Sequence, residues 1–371
     1  MNKEKQAIES LLKGTGIVIN GASPFDPQVH NKNFYQRVLR QGSLGLGESY
    51  MDGWWDCERL DQFFHKVLSA ELDQKLKWNW RVAYEAALGY VLNAGRKSQA
   101  HKIGKHHYDI GNNLYRAMLD KRLAYTCGYW KNAKNLNEAQ EAKLDLVCKK
   151  IGLKQGQKVL DIGSGWGSFI GYAAQKYGAK AVGITVSREQ KALADARYSN
   201  LPVETKLMDY RDLSGKYDHI VSLGMFEHAN YKHYRTFMKV IHDALEDNGL
   251  FLLHTIGGNH SVRATDPWIQ KYIFPNSMLP SISQIGRAIE GLFVMEDWHN
   301  FGPDYDKTLM AWYQNFEDNW DELKTNYDEK FHRMWEYYLL LCAGSFRARK
   351  NQLWQVVLSK KGVSGGYIST R

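Results

Sequence analysis

After residue 157, short apolar runs alternate with amphipathic helical segments, and this alternation restricts the possible folds more than any other feature of the sequence. The apolar runs read KVLDIG, KAVGITV, HIVSLG and GLFLLHTIG, and helical patterns such as FIGYAAQKYG and SREQKALADARYS lie between them. Short β-rich runs linked by helices predict a parallel sheet with both faces covered. A later alternating run, RNQLWQVVLSKKG, predicts a strand that closes the sheet. We therefore predict an α/β domain.

The first part of the chain has a different pattern. Segments such as NKNFYQRVLRQG and LGLGESYMDGWWDCERLDQFFHKVLSAEL predict short helices and loops, without alternating strands. The stretch NAGRKSQAHKIGK is small, polar and basic, which is typical of a linker. A chain of 371 residues is long enough for about two domains. We predict a small helical domain over residues 1–92, a linker over 93–105 and an α/β domain over 106–371.

The first apolar run ends in a glycine-rich turn, Asp161-Ile162-Gly163-Ser164-Gly165-Trp166-Gly167, which leads into a helix. Glycine lets the backbone turn sharply and approach a ligand, and the helix start offers unpaired N–H groups. A dinucleotide loop would place its third glycine at Ser168 and an acid after the second strand, which ends in Thr185. These departures disfavour an NAD-dependent oxidoreductase. An acid followed by three alternate glycines resembles the S-adenosylmethionine loop of Rossmann-like methyltransferases, where Asp161 would favour the methionyl ammonium.

Two titratable residues lie at the ends of later strands. Glu227 follows the run HIVSLG, and His254 stands near the end of GLFLLHTIG. Because groups at the carboxyl ends of parallel strands face one crevice, we expect Glu227, His254 and the glycine turn to converge there. Taken singly, each is more often a satisfied structural residue, and the expected convergence is what favours a catalytic role.

The net charge of +9 and the pI of about 9.1 favour an anionic partner. The chain has 12 tryptophans and 22 tyrosines, and because such rings suit membrane interfaces and apolar channels, we expect a lipid partner and no nucleic acid. The sequence has no run of about eighteen uncharged apolar residues and no apolar signal core near its start, which predicts a cytoplasmic protein.

Cysteine and histidine spacing predicts neither a disulfide framework nor a metal site. The four cysteines are scattered without CxxC spacing. His106-His107 and the group of Glu227, His228 and His233 lack the i, i+4 spacing of a helical zinc motif. We therefore expect no metal.

Several motifs together resemble one family. They are YTCGYW at residues 125–130, VLDIGSGWG, GITVSREQ, GMFEH, LHTIG, DYDKTLMAW and FRARKNQLWQVV, with GLGESYMDGWW in the first domain. Their order and spacing resemble the cyclopropane-fatty-acyl-phospholipid synthases, which are relatives of the mycolic acid methyltransferases. The mycolic acid enzymes begin near HYDIGNNLY, so the first domain indicates the phospholipid branch. The resemblance implies a Rossmann-like S-adenosylmethionine-dependent methyltransferase domain, with a mostly parallel seven-stranded sheet, preceded by a small, mostly helical domain.

The resemblance also implies an activity. Members of this family transfer a methylene group from S-adenosylmethionine across a cis double bond of an acyl chain in membrane phospholipid. A carbocation then loses a proton to bound bicarbonate, and a cyclopropane ring closes. The implied partners are unsaturated phospholipid and an anionic membrane surface. The enzyme would be cytoplasmic, peripherally bound to the inner face of the membrane, and a homodimer.

Carried over by position, the glycine motif and the resemblance assign two sets of residues. The expected cofactor contacts, with Gln190 on the ribose, are Tyr125, Thr126, Asp161, Gly163, Gly165, Gly167, Thr185, Ser187, Gln190, Asp209, Tyr210 and Arg211. The expected bicarbonate site comprises side chains of Glu227, His254 and Tyr305 and main-chain groups of Cys127 and Ile256. Because like charges repel in a dry site, we expect either a proton shared with Glu227 or a charged His254.

The pocket must exclude water, because water would trap a carbocation. Aromatic faces tolerate a nearby cation, and the candidate wall residues are Tyr125, Tyr129, Trp130, Trp166 and Tyr305. A thiolate has no step in this reaction, so we expect Cys127 and Cys342 to be structural.

Two other functions stay open. A lipid methyltransferase would share the first step and leave a methyl branch in place of the ring. A non-catalytic relative would bind membranes without turning over the cofactor. The first domain also has two readings: Gly42 to Trp55 and the following helix would seat the protein on anionic phospholipid, or the domain would be a helical cap.

Overall fold

The computed structural model describes residues 3–72 and 111–371. The helices in these ranges are α1 (Lys3–Leu12), α2 (Asn33–Gln41), α3 (Ser43–Met51), α4 (Leu60–Ser69), α5 (Asn112–Met118), α6 (Leu136–Lys150), α7 (Ser168–Tyr177), α8 (Arg188–Arg197), α9 (Tyr234–Ala244), α10 (Pro267–Tyr272), α11 (Ile282–Ile289), α12 (Pro303–Asp318), α13 (Trp320–Leu323) and α14 (Glu329–Arg347). The strands are β1 (Gln28–Val29), β2 (Trp55–Asp56), β3 (Lys158–Ile162), β4 (Lys180–Thr185), β5 (Val203–Leu207), β6 (Tyr217–Leu223), β7 (Leu245–Gly258), β8 (Val294–Asn300) and β9 (Asn351–Ser359). The predicted linker at 93–105 lies outside the described residues, as do the predicted domain ends at 92 and 106.

One sheet contains strands β3 to β9, in the order β5-β4-β3-β6-β7-β9-β8. The pairs β3/β4, β4/β5, β3/β6 and β6/β7 are parallel, and β8/β9 is antiparallel. This confirms the predicted α/β fold with a mostly parallel seven-stranded sheet. The chain order reverses between β3 and β6, and ligand crevices in open α/β sheets lie at such a switch point, beyond the carboxyl ends of the strands.

The edge strands β5 and β8 were not expected from the apolar runs. Their sequences, VETKL and VMEDWHN, carry charged residues. An edge strand has a neighbour on one side only, so its side chains are less buried than those of a central strand. Apolar runs therefore indicate the central strands more reliably than the edges.

Side chains of β3 alternate between the two covered faces of the sheet. Leu160 and Ile162 belong to one buried cluster, whereas Val159 belongs to another that includes Leu144 of α6. Asp161 lies two residues after Val159 and therefore shares its face. This register directs Asp161 toward the side of the sheet that α6 covers.

The chain divides into two compact units that are not contiguous in sequence. The first comprises residues 1–94, 264–276 and 305–351, and the second comprises residues 95–263, 277–304 and 352–371. The sequence had assigned 264–276 and 305–351 to the α/β domain. In the first unit these later segments pack with the early helices, and such long-range pairing leaves no local pattern in the sequence.

Close packing in the first unit depends on two glycines. A Cβ at Gly344 of α14 would lie 2.7 Å from the Cβ of Phe64 in α4, and a Cβ at Gly47 of α3 would lie 2.4 Å from the Trp268 ring. Any side chain at either position would separate these helices. Within the ranges 3–72 and 111–371, no helix is both long and apolar enough to span a bilayer.

Candidate active site

The turn between β3 and α7 carries three glycines with positive φ angles, of +85° at Gly163, +54° at Gly165 and +83° at Gly167. A Cβ at Gly163 would lie 2.6 Å from the Cβ of Met225, so this glycine packs against the loop that follows β6. At Gly165 a Cβ would meet no atom of the described residues within 4 Å. The backbone at Gly165 therefore borders open space that a ligand can approach.

Asp161 lies in β3, just before this turn, and only 2% of it is exposed. Its Oδ1 has no hydrogen-bond partner among the described residues. Burial raises the pKa of Asp161 to about 7, and the nearby charge of Lys143 opposes that rise. A buried carboxylate with an unpartnered oxygen fits a cationic ligand group such as the methionyl ammonium.

A second polar cluster lies where β4 ends. Ser187 caps α8 by accepting a hydrogen bond from the Gln190 N–H at 3.3 Å. The Thr185 hydroxyl donates to the side-chain oxygen of Gln190 at 2.8 Å, and Gln190 is 3% exposed. This bond uses one of the two lone pairs of the Gln190 oxygen, so both that oxygen and the amide nitrogen could make the predicted ribose contact.

Asp209 and Arg211 bind each other. Asp209 caps the short 3₁₀ turn Tyr210–Asp212, and its carboxylate accepts bonds from Arg211 Nε at 2.8 Å and from a terminal guanidinium nitrogen at 2.6 Å. The Tyr210 ring packs against Phe237 at 5.1 Å. This cluster follows β5, which adjoins β4 in the sheet.

Glu227 lies in a 3₁₀ turn after β6, Phe226–His228, and is 6% exposed. The turn is anchored because the Phe226 ring stacks on Tyr234 at 4.0 Å. Glu227 Oε1 accepts a bond from the Ile256 N–H at 2.6 Å, and Oε2 has no partner among the described residues. Burial raises the pKa of Glu227 to about 7, although the N–H groups of Ile256 and Glu227 and the Thr255 hydroxyl favour the ionised form.

His254 lies in β7, two residues before Ile256, and is 1% exposed. Its Nδ1 lies 3.3 Å from Gln355 Nε2, and its Nε2 has no partner among the described residues. Burial holds the pKa of His254 well below its usual value, and the charges of Lys143 and Lys150 lower it further. A neutral His254 that accepts a bond from Gln355 carries its proton on Nε2.

These elements meet at the carboxyl ends of β3, β6 and β7. The Gly224 N–H, directly after β6, donates to the His254 carbonyl at 2.9 Å. A Cβ at Gly224 would lie 2.7 Å from Thr126 Cγ2, which brings the YTCGYW segment to the same place. Together with the Gly163 contact to Met225, these distances bring the glycine turn, Glu227, His254 and Thr126 into one cluster.

The segment YTCGYW packs closely on α6. Cys127 is fully buried, and its Sγ donates to the Gly128 carbonyl at 3.1 Å. A Cβ at Gly128 would lie 2.9 Å from the Cβ of Ala139 in α6. The thiol therefore makes a hydrogen bond to the adjacent backbone, and Gly128 allows the close approach of this segment to the helix.

Aromatic rings surround this cluster. The Tyr125 ring lies 5.2 Å from Tyr115, which in turn lies 4.8 Å from Trp166. The Tyr129 ring lies 5.3 Å from Phe301, whose ring centroid is 5.9 Å from that of His254. The rings form an apolar boundary near His254 and the glycine turn.

We expect the Cys127→Ser variant to retain turnover within about tenfold of the wild-type rate, because a serine hydroxyl can donate to the Gly128 carbonyl and no step requires a thiolate. The measurement is kcat/KM at saturating cofactor. Cys148→Ser, at an equally buried cysteine in α6, controls for the stability cost. A Cys127→Ser protein that folds and binds cofactor but is inactive would restore a nucleophilic role.

Tyr305 belongs to the first unit, in α12. It is 8% exposed, and its ring lies 4.6 Å from Phe346 and 5.9 Å from Trp312. Its assignment to the same site as Glu227 and His254 stays a prediction.

Three residues that contact the site were not anticipated from the sequence. Gln140 and Lys143 of α6 both bind Thr126, and Gln355 of β9 binds His254. A sequence signal existed for the first two: the pattern of α6 places them on the face of Leu144 and Val147, where a polar side chain must find a buried partner.

Residues 95–356 match the family model described as mycolic acid cyclopropane synthetase. The chain belongs to this family. The cyclopropane-fatty-acyl-phospholipid synthase of Escherichia coli (strain K12) is 52% identical over 356 residues, which are 96% of this chain and 93% of that protein. The chain is thus an enzyme of the cyclopropane synthetase family, with an S-adenosylmethionine-dependent methyltransferase domain.

Solved structures of the family share the fold. The cyclopropane synthase MmaA2 from Mycobacterium tuberculosis is 28% identical, with a TM-score of 0.67, and the match covers 70% of this chain and 98% of that one. The mycolic acid cyclopropane synthase CmaA1, solved with SAH (S-adenosylhomocysteine) and CTAB, is 30% identical with a TM-score of 0.66 and the same coverage.

Proposed function

We propose that this enzyme transfers a methylene group from S-adenosylmethionine across the cis double bond of an unsaturated acyl chain in membrane phospholipid, forming a cyclopropane ring. The observation that carries this proposal is the buried pair of Glu227 and His254, which presents an unpartnered carboxylate oxygen and an unpartnered imidazole nitrogen beside an open glycine turn. The 52% identity to the Escherichia coli synthase supports the choice of substrate.

The proposed chemistry explains why the site is apolar. An alkene is a poor nucleophile, so the acyl chain has to be held in line with the methyl donor. The alkene carbon would form a bond to the methyl group as the bond from that group to the donor sulfur breaks, which would release S-adenosylhomocysteine and leave a carbocation on the neighbouring carbon. Loss of one proton from the new methyl group then closes the ring. Tyr125, Tyr129 and Trp166 would exclude water at this stage, and their ring faces would tolerate the cation.

We further propose that Glu227 and His254 hold the bicarbonate ion, together with Tyr305 and main-chain groups near Cys127 and Ile256. When bound, the ion would supply the base that accepts the proton. The raised pKa of Glu227, about 7, favours a proton shared between its carboxyl group and the anion. The lowered pKa of His254 disfavours an imidazolium, so the group that would donate to the anion is a neutral Nε2–H. The Ile256 N–H already binds Glu227, so its part would be to orient that carboxyl group.

In carbonate-free buffer we expect turnover to fall by about 10²-fold or more, because a positioned base contributes about 10²–10⁴-fold to a proton transfer. Adding bicarbonate should restore the rate, and the Kd for S-adenosylmethionine should be unchanged in both buffers. The experiment combines a rate assay under CO₂-free gas with calorimetry. A rate that does not respond to bicarbonate would reject the bound-base assignment.

We also propose that the enzyme works as a cytoplasmic protein, bound peripherally to the anionic inner face of the membrane, and that it is a homodimer. Support for the membrane contact comes from the loop after β7, where Val262 is 40% exposed and Ile282, at the start of α11, is 60% exposed. A hydrogen bond of 2.7 Å between Ser261 and Ser281 ties these segments together, and Arg263 adds a positive charge. Such a surface suits anionic lipid.

The membrane role proposed for Gly42 to Trp55 is weaker than the sequence indicated. Trp55 is fully buried, and its indole N–H donates to the Leu46 carbonyl at 3.2 Å and to the Ser49 hydroxyl at 3.1 Å. This ring belongs to the core of the first unit, which leaves Trp54 as the aromatic residue of the pair with solvent exposure. An accessory role for residues 1–92 stays a proposal.

The decisive experiment incubates the protein with vesicles of unsaturated phospholipid and methyl-labelled S-adenosylmethionine, followed by NMR of the lipid. We expect cyclopropane protons in the product and faster turnover on anionic than on zwitterionic vesicles. A methyl-branched product would favour the alternative lipid methyltransferase. Binding to vesicles without turnover would favour a non-catalytic relative, and either result would overturn the proposal.

A further inference from the structure

Thr126 is held by two buried polar residues of α6. The Lys143 ammonium donates to the Thr126 hydroxyl at 2.7 Å, and Gln140 Nε2 donates to the Thr126 carbonyl at 2.7 Å. Lys143 is 1% exposed and Gln140 is fully buried. Residues three apart lie on the same face of a helix, so α6 binds both the side chain and the main chain of Thr126.

The other side of Thr126 faces the ends of β6 and β7. Its Cγ2 occupies the space beside Gly224, and the Gly224 N–H binds the His254 carbonyl. Thr126 is therefore in contact with the loop that leads to Glu227, and a hydrogen bond joins that loop to the backbone of His254. A shift of Thr126 would move the Tyr125–Cys127 segment against this loop.

A buried ammonium is costly unless opposite charges compensate it. Lys143 interacts electrostatically with Asp120, Cys127 and Asp161, and the two aspartates are 4% and 2% exposed. Burial lowers the pKa of Lys143 to about 8. Its positive charge also lowers the pKa values of Asp161 and His254, with Lys150 contributing at His254. The ammonium therefore favours an ionised Asp161 and a neutral His254, which are the forms that the proposed site requires.

We propose that Lys143 is a positioning residue: it holds Thr126, and with it the Tyr125–Cys127 segment, against the ends of β6 and β7, and its charge balances that of Asp161 in the proposed cofactor site. This inference rests on the proposed function only in taking S-adenosylmethionine or its product as the ligand. It does not depend on which lipid is modified or on whether a ring forms.

The test uses Lys143→Met, which keeps an unbranched side chain of nearly the same length and removes its charge and its hydrogen bond. We expect the Kd for S-adenosylhomocysteine at pH 7.5 to rise about tenfold, which corresponds to the loss of about 1.4 kcal/mol. Affinity needs an ionised Asp161, and without the Lys143 charge the pKa of Asp161 rises. The fall in affinity on acidification should therefore begin at a higher pH than in the wild type. Calorimetry across pH 6–9 measures both effects.

Matched variants separate positioning from stability. Lys143→Arg, which keeps the charge, should restore the pH dependence of the Kd. Lys149→Met removes an exposed lysine from the same helix and should change neither quantity. If Lys143→Met does not fold, Thr126→Val removes the hydroxyl that accepts from Lys143 and should raise the Kd about threefold, whereas Thr126→Ser, which keeps that hydroxyl, should raise it less. A lower Tm with unchanged affinity and pH dependence in these variants would overturn the inference. Because no lipid is present, a wrong substrate assignment would leave this test intact.

Discussion

Replacing Glu227 with alanine is expected to lower kcat by about 10²–10⁴-fold while the Kd for S-adenosylmethionine stays within about twofold of the wild-type value. Alanine leaves the Ile256 N–H without the acceptor that it has at 2.6 Å and removes the unpartnered Oε2. The carboxyl group would then no longer hold the base. Single-turnover rates on phospholipid vesicles, with calorimetry of the cofactor, measure the two quantities separately.

Glu227→Gln discriminates between two protonation states. A glutamine oxygen can accept from the Ile256 N–H while its amide donates to an anion, as a protonated Glu227 would. We therefore expect the glutamine variant to keep at least about tenfold more activity than the alanine variant. Equal losses of activity in the two variants would indicate that Glu227 acts as an ionised carboxylate. That result would contradict the proposal that Glu227 shares a proton with the anion. Glu246→Gln, at an exposed position early in β7, should behave as the wild type.

The central strands and the convergence of their ends followed from local features of the sequence. KVLDIG, KAVGITV and HIVSLG are apolar because central parallel strands are buried on both faces, and the topology then brings Glu227, His254 and the glycine turn together. The edge strands β5 and β8 lack that constraint. Each of these strands pairs with a neighbour on one side only and is more exposed, so it can carry charged residues and shows no apolar run.

Local sequence patterns could not show which segments of the chain make up the first unit. The helix α14 has the apolar pattern of any amphipathic helix, and the pattern does not tell which surface covers it. In the structure Gly344 brings α14 within contact distance of Phe64, about 280 residues earlier in the chain. Pairings of this kind depend on tertiary complementarity, which a periodicity of 3.6 residues does not encode.

Candidate site residues could be proposed from the sequence where a motif or a strand end marks them, and could not be proposed where packing decides. Asp161 was identified from the glycine motif, and Glu227 and His254 were identified because both lie at strand ends that a parallel sheet brings to one crevice. Lys143 was missed although its spacing puts it on the face of Leu144 and Val147, because LNEAQEAKLDLVCKK has many charges and the spacing does not show what a buried lysine would bind. Trp55 is the converse case, because an aromatic residue suited to an interface proved to fill a core.

The glycine turn offers a comparison between two positions that share a backbone conformation. Gly165 has φ +54° and Gly152, in the turn after α6, has φ +61°. At both sites an added Cβ would meet no atom of the described residues within 4 Å. Alanine at either position should therefore cost a similar amount of stability, about 1–2 kcal/mol, because the left-handed conformation is unfavourable for a residue with a Cβ. The two positions differ in that Gly165 belongs to the proposed cofactor site.

We expect Gly165→Ala to weaken S-adenosylmethionine binding by about 10–100-fold, because a methyl group that enters space needed by a ligand costs about 1–3 kcal/mol. Gly152→Ala should leave the affinity for S-adenosylmethionine unchanged while lowering the Tm about as much as Gly165→Ala does. Gly163→Ala should lose both stability and affinity, since its Cβ would collide with Met225 at 2.6 Å. Calorimetry and thermal unfolding of the three variants make the comparison. Equal affinities for Gly165→Ala and Gly152→Ala would mean that the cofactor does not approach this turn, and the site would have to be sought elsewhere along the strand ends.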